Sequence, residues 1–255
     1  MAAADQYERL FGLIGYPLSH SFSKRYFNEK FAREGIAGAF YELFPLEQIT
    51  AFPALLEAHP NLIGLNVTIP YKQAVIPYLD RLDEGAAQVG AVNTIVRRGG
   101  ELVGYNTDVI GFEQSLCRWL QANGVKLDGL QALVLGTGGA ARAVAYVLGR
   151  LGVAFQLVSR KKGEGQLAYS EIDEAVAKAH RLIVNTTPLG MSPNTEGCPA
   201  LPYGAMGAGH FLYDLVYNPE ETRFMGNGRL QGAKAMNGLE MLYGQAEAAW
   251  AIWNA

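Results

Sequence analysis

The 255-residue sequence is short of most features that would take it out of the ordinary globular class. Its two cysteines, Cys117 and Cys198, cannot build a disulfide framework and form no C-x-x-C pair. Four histidines (His20, His59, His180 and His210) show no metal-ligand spacing, so no metal is expected. Charged residues are 18% of the chain and the formal net charge is -3. With no Lys/Arg stripe, a nucleic-acid partner or an anionic membrane surface is not expected. No uncharged apolar run reaches the ~18 residues of a membrane span. The best candidate, 132–148, is broken by glycines and Arg142. Residues 1–9 contain acids and no apolar stretch, unlike a secretory signal, so the expectation is a cytoplasmic protein. Repeats and charge runs are missing too.

What is present is apolar mass and glycine. Hydrophobic residues make up 49% of the chain, enough for a sizeable core. Glycine, at 30 residues, is in excess and should mark tight turns and close backbone approaches. Apolar runs alternate with helical periodicity, which predicts βα units and a largely parallel sheet. Strands are expected at 10–14, 39–44 and 62–67, and a hairpin at 91–96 and 101–105. Helices are expected at 22–34, with Ser21 or Ser23 as its cap, and at 107–123, stopped by Asn123-Gly124. A further β–glycine loop–α–β unit follows, with strands 132–135 and 154–158 around helix 139–150; beyond it, a short helix is expected at 171–179. Leu239, Leu242, Tyr243, Ala246, Trp250 and Trp253 fall at helical spacing, and so long an apolar face must dock on something. The expected organisation is α/β with two domains: 1–105 with 237–255 forming an N-terminal α/β substrate lobe, 106–236 forming a Rossmann-type dinucleotide-binding domain, and a cleft between them.

The loop after strand 132–135 carries the clearest chemistry. Gly136, Gly138 and Ala141 fit G-x-G-x-x-[GA] between a strand and a helix. The first glycine allows the tight turn, the second lets backbone approach a pyrophosphate, and the third small residue lets helix and strand pack closely. Free N–H groups at the helix start then meet phosphate. A merely structural turn is the alternative. No Gly-Lys-Ser/Thr exists, which excludes a P-loop. Where NAD enzymes carry an acid for the ribose 2′-hydroxyl, this chain has Ser159-Arg160-Lys161-Lys162. Arg160 can pair with a 2′-phosphate, which favours NADP(H) over NAD; a solvated strand end is the competing reading.

Four segments before residue 110 are polar where packing alone asks for apolar residues. His20-Ser21-Phe22-Ser23 puts hydroxyls ahead of a helix, suited to a carboxylate or to capping. Asn66-Val67-Thr68-Ile69-Pro70-Tyr71-Lys72 ends an apolar strand in Asn, Thr and Lys, although a lone Lys there is commonly just solvated. Gly90-Ala91-Val92-Asn93-Thr94 and Asn106-Thr107-Asp108 add amide, hydroxyl and carboxylate, and Asp108 could simply complement a helix dipole.

Together with Gly111-Phe112, Gly136-Thr137-Gly138-Gly139-Ala140-Ala141-Arg142, Asn185-Thr186-Thr187-Pro188-Leu189-Gly190-Met191, Tyr213-Asp214-Leu215-Val216-Tyr217-Asn218-Pro219 and Asn237-Gly238-Leu239-Glu240-Met241-Leu242 with Gln245, these strings resemble the shikimate dehydrogenase family from about Leu13 to Trp253. The resemblance implies reversible NADPH-dependent reduction of 3-dehydroshikimate to shikimate, a step of aromatic amino-acid biosynthesis, by a monomer or homodimer. It implies Lys72 and Asp108 as the catalytic pair. Ser21 and Ser23 would hold the substrate carboxylate, while Thr68, Asn93, Asp108, Tyr217 and Gln245 would contact the rest of the substrate. Gly136, Thr137, Gly138, Gly139 and Ala140 would cradle the pyrophosphate, and Ser159, Arg160 and Lys161 the adenosine ribose phosphate. Thr186, Thr187, Leu215 and Gly238 would lie along the cofactor, and Glu84 matches an acidic cofactor position. His20 would orient the serine loop. The alternatives are a quinate/shikimate dehydrogenase using NAD and a non-catalytic sensor. Three departures stand out: Lys24 where the family has Pro, Ser159-Arg160-Lys161 for the commoner Asn-Arg-Thr, and a shortened stretch from 161 to 180.

Overall fold

A computed structural model describes residues 7–18 and 22–255. The chain divides into two compact units: Met1–Thr107 with Ala246–Ala255, and Asp108–Gln245.

Unit 1 is built on β1 (Arg9–Gly15), α1 (Phe22–Arg33), β2 (Ala39–Pro45), α2 (Phe52–Ala58), β3 (Leu62–Val67), β4 (Arg81–Leu82), α3 (Glu84–Val89), β5 (Thr94–Arg98) and β6 (Glu101–Tyr105). Its sheet has the order β2-β1-β3-β5-β6-β4. β1 runs parallel to β2 and β3, whereas β5 is antiparallel to both β3 and β6. Leu10, Ile14, Leu65 and Ile95 are buried on one side, and Phe11, Phe27, Tyr41 and Trp253 on the other. The expected strand at 91–96 starts later, at Thr94, because Val92 and Asn93 donate their N–H groups to Lys72 and Tyr105 instead of a regular ladder. Its hairpin turns on Gly99 and Gly100, both at positive φ (56° and 88°), as a two-residue primed turn requires.

Unit 2 opens with helix α4 (Thr107–Ala122), whose first residue belongs to unit 1. It contains β7 (Gln131–Leu135), α5 (Gly139–Arg150), β8 (Ala154–Ser159), β9 (Gln166–Ala168), α6 (Glu174–Ala179), β10 (Leu182–Asn185), β11 (Phe211–Asp214), α7 (Arg223–Leu230), β12 (Lys234–Met236) and the start of α8 (Leu239–Asn254). All six strands are parallel, in the order β12-β11-β10-β7-β8-β9. That is the doubly wound, Rossmann-type order, with the reversal between β7 and β10. The trimmed stretch after β8 holds no crossover helix: six residues lead directly into the short edge strand β9.

Where the sequence places the return to the first domain at residue 237, the contacts place it at 246, inside α8. The first half of α8 packs on the start of α4 through glycines. A Cβ on Gly111 would lie 2.5 Å from the Met241 carbonyl oxygen, and one on Gly244 would lie 3.2 Å from Gly111 Cα. The second half packs in unit 1, where Trp253 donates its indole N–H to the Ile95 carbonyl at 2.9 Å and covers Gly64. No helix among the described residues is long and apolar enough to cross a membrane.

Candidate active site

Topology gathers the polar segments of unit 1. The chain leaves β1 toward β2 on one side and reaches β3 on the other, so the carboxyl ends of β1 and β3 form a switch point, the favoured ligand position in open α/β sheets. Thr68 and Lys72 follow β3 there. Register Asn66↔Thr94 puts the start of antiparallel β5, hence Asn93, at the same sheet end, and Thr94↔Tyr105 adds the exit of β6 toward Asp108. Backbone bonds tie these exits together: Thr68 N–H to Ile14 O at 2.9 Å, Val67 N–H to Asn93 O at 2.9 Å, and Val92 N–H to Lys72 O at 2.7 Å. Lys72 and Thr68 are half-buried. Asp108 stands in the first turn of α4, complementing its dipole, and also half-buried.

Between these ends runs a hydrogen-bonded chain of buried polar groups that sequence reasoning did not assign. The Tyr41 phenol donates to Asn66 Oδ1 at 2.8 Å. Asn66 Nδ2 donates to Thr94 Oγ1 at 3.2 Å, and Thr94 donates to Asn93 Oδ1 at 3.2 Å. That same oxygen accepts the Thr107 N–H at 2.7 Å and the Thr107 hydroxyl at 3.1 Å. Burial pushes the Tyr41 phenol well above its ordinary range, so it remains a neutral donor. The available signal was a polar residue inside an otherwise apolar strand, Asn66 in Leu62–Val67.

Of the paired hydroxyls expected for a carboxylate, Ser23 lies in the first turn of α1, while Ser21 and His20 fall outside the described residues. Lys24, the departure from the family pattern, does not interrupt α1, and its ammonium pairs with Glu42 of β2.

In unit 2 every expected cofactor segment leaves the carboxyl end of a parallel strand. Gly136 to Ala140 follow β7, Ser159 to Lys161 close and follow β8, Thr186 and Thr187 follow β10, Leu215 follows β11 and Gly238 follows β12. Gly136 has φ +113°, and a Cβ there would meet Thr186 Oγ1 at 2.6 Å. Thr186 is held by its own N–H and hydroxyl, both donated to the Leu135 carbonyl. Its hydroxyl therefore braces the glycine turn. Around Gly138 and Gly139 an added Cβ would meet nothing within 4 Å, and α5 begins at Gly138 without a side-chain cap. Open space in front of uncapped helix N–H groups fits a pyrophosphate. Arg160 and Lys161 are exposed and have no ion-pair partner among the described residues, which suits a 2′-phosphate. Lys162 differs: its ammonium is engaged by Glu171, whose carboxylate also accepts the Ala168 N–H, so it serves the shortened connection.

Asp214 organises the far side of this loop cluster. Fully buried at 0% exposure, it accepts from Asn185 Nδ2 at 2.9 Å, Val216 N–H at 3.0 Å and the Thr222 hydroxyl at 2.5 Å. Burial pushes its carboxyl up to about 6, against the pull of these donors. Asn185 Oδ1 accepts from the Thr187 N–H and hydroxyl, and Leu215 donates its N–H to Asn185 O at 2.9 Å, so one carboxylate fixes both loops. Gly238 approaches so closely that a Cβ would sit 2.2 Å from Leu215 O. Tyr217 is exposed, and Gln245 donates Nε2 to Leu242 O at 3.1 Å. Glu84 lies apart from this set in the sequence of units: it is an exposed residue in the first turn of α3 in unit 1, where it complements the helix dipole beside the Asp83 cap. No group of three or more metal-ligating side chains occurs among the described residues.

Comparison with known proteins adds to this geometry. Residues 13–95 match the family model described as the shikimate dehydrogenase substrate binding domain. The sequence is 41% identical to the shikimate dehydrogenase (NADP(+)) of Symbiobacterium thermophilum, over 96% of this chain and 88% of that protein. It is 40% identical to the protein of the same name from Geobacillus kaustophilus, over 96% and 92%. Among solved structures, shikimate 5-dehydrogenase from Thermus thermophilus in complex with NADP(H) and shikimate superposes with a TM-score of 0.81 at 32% identity, covering 96% of this chain and 93% of that one.

Proposed function

The chain belongs to the shikimate dehydrogenase family, and we propose how its own residues carry out that family's reaction, the reversible NADPH-dependent reduction of 3-dehydroshikimate to shikimate in aromatic amino-acid biosynthesis. It is an oxidoreductase acting on a CH–OH group with NADP as cofactor. NADPH, when bound, supplies the hydride. The work left to the chain is to hold the substrate, stabilise the developing alkoxide and deliver a proton. Lys72 does the last two: an ammonium near the ketone oxygen offers both charge and a proton. Asp108 is the second member of the catalytic pair. Ser21 and Ser23 receive the carboxylate, and Thr68, Asn93, Tyr217 and Gln245 contact the ring hydroxyls. Among the described residues the bonds to the Asn93 side chain fall on Oδ1, so its amide N–H pair is left to donate to such a hydroxyl.

Gly136, Thr137, Gly138, Gly139 and Ala140 hold the pyrophosphate at the open start of α5. Ser159, Arg160 and Lys161 take the ribose phosphate, while Thr187, Leu215 and Gly238 shape the loops along the cofactor. Thr186 acts by bracing Gly136. The reading places the enzyme in the cytoplasm, as a monomer or homodimer.

The observation that carries the reading is the convergence of Thr68, Lys72, Asn93 and the approach to Asp108 at one end of the unit 1 sheet. Its test is spectrophotometric: protein mixed with shikimate and either NADP+ or NAD+, following the reduced nicotinamide. Fast turnover with NADP+ and slow turnover with NAD+ is expected. Preference for NAD+ would transfer the chain to the quinate/shikimate class, and silence with both would make it a sensor.

A further inference from the structure

The chain of hydrogen bonds through unit 1 has two kinds of member. Asn93 is a residue assigned to the substrate. Tyr41 and Thr94 are 0% exposed and cannot touch any ligand. A buried polar group is tolerated where packing does not need it only if its partners are satisfied, and here the partners lead to Asn93. Tyr41 is fixed independently of its phenol. Its ring stacks on Phe27 at 4.8 Å, and Asn28 of α1 brackets its backbone, accepting from the Tyr41 N–H at 3.0 Å and donating to its carbonyl at 2.9 Å. A phenylalanine would keep all of that, so the hydroxyl serves something other than packing. Its partner is Asn66 Oδ1. From Asn66 the chain continues to Thr94, and through Asn93 Oδ1 to the Thr107 N–H that opens α4.

We propose that Tyr41 and Thr94 are positioning residues of the substrate site: one relay of buried hydroxyls, joined through the Asn66 amide, fixes the Asn93 carboxamide so that its N–H pair meets a ring hydroxyl in a set direction. The proposal rests on the family reaction assigned above. Without the phenol, Asn66 Oδ1 loses a donor and its amide can turn away from Thr94. Without the Thr94 hydroxyl, Asn93 Oδ1 loses one of three donors and Asn66 loses an acceptor. Either change loosens a preorganised site without removing a contact to the substrate.

The experiment compares Tyr41→Phe, Thr94→Val and the double variant with the wild-type chain by steady-state kinetics in shikimate and NADP+. Each single variant is expected to raise the shikimate KM about three- to tenfold, the range of one neutral hydrogen bond. The KM for NADP+ should stay within about twofold. The double variant should raise the shikimate KM by less than the product of the singles, because one relay can be cut only once. An unchanged shikimate KM, a parallel rise for NADP+, or full multiplicativity would overturn the relay. If Tyr41→Phe fails to fold by circular dichroism, the same split in Thr94→Val alone decides. A wild type inert toward shikimate would overturn the reaction assigned to the chain, whereas an active wild type with unaltered variants overturns only the relay.

Discussion

Replacing Asp214 by Asn should change how the stability of unit 2 depends on pH. Folded, this carboxyl titrates at about 6; its ordinary value is 3.8. The folded state therefore holds the proton more tightly than the unfolded chain. The corresponding stability is fully present below 3.8 and is lost as pH rises through 6. At about 1.4 kcal/mol per pH unit of separation, the whole effect is ~3 kcal/mol, of which ~2–3 kcal/mol falls between pH 4 and 7. Asn keeps an oxygen for Asn185 Nδ2 and the Val216 N–H but turns an amide N–H toward Thr222. That mismatch costs about 1–2 kcal/mol at every pH, so the pH-dependent part is separable. The assay is native-state hydrogen exchange of β10 and β11 amides, read as variant minus wild type at each pH so that intrinsic exchange rates cancel. The difference should move in favour of Asn by ~2–3 kcal/mol from pH 4 to pH 7. A flat difference would refute the buried, proton-holding carboxylate.

Arg160→Ala should weaken NADP+ at least about tenfold while leaving NAD+ nearly unchanged, because the proposed role of this exposed side chain is to pair with the 2′-phosphate; equal losses in fluorescence titrations with the two cofactors would deny it the 2′-phosphate. Gly238→Ala should lower activity and unit 2 stability together by at least ~2 kcal/mol, because its Cβ would lie 2.2 Å from a backbone oxygen. Thermal melts and cofactor titrations of that variant check both, and a variant as stable as wild type would show that Leu215 can move aside.

Much of this was legible in the sequence where chemistry and periodicity coincide. The glycine turn sits between β7 and α5 because Gly136 has a φ of +113°, which a residue with a side chain rarely adopts. Thr68, Lys72 and Asn93 stood out as polar residues in segments that also bury Val67, Tyr71 and Val92. What stayed hidden depends on contacts distant in sequence. Tyr41 and Thr94 read as ordinary strand residues until β2, β3 and β5 are placed side by side. Asp214 sits in a recognisable string, but its burial follows from β10 and α7 closing over it. Strand β9 has three residues and no helix before it, too little for any period to show. The division of α8 between units escaped because helical spacing shows that a face is apolar and not which partner each turn meets.

The central assignment, proton delivery by Lys72, is tested most directly by the kcat of Lys72→Ala for shikimate oxidation with NADP+, measured at saturating concentrations of both. The account predicts a fall of about 10²- to 10⁴-fold with little change in either KM, the signature of a lost general acid–base. A kcat within a few fold of wild type would contradict it.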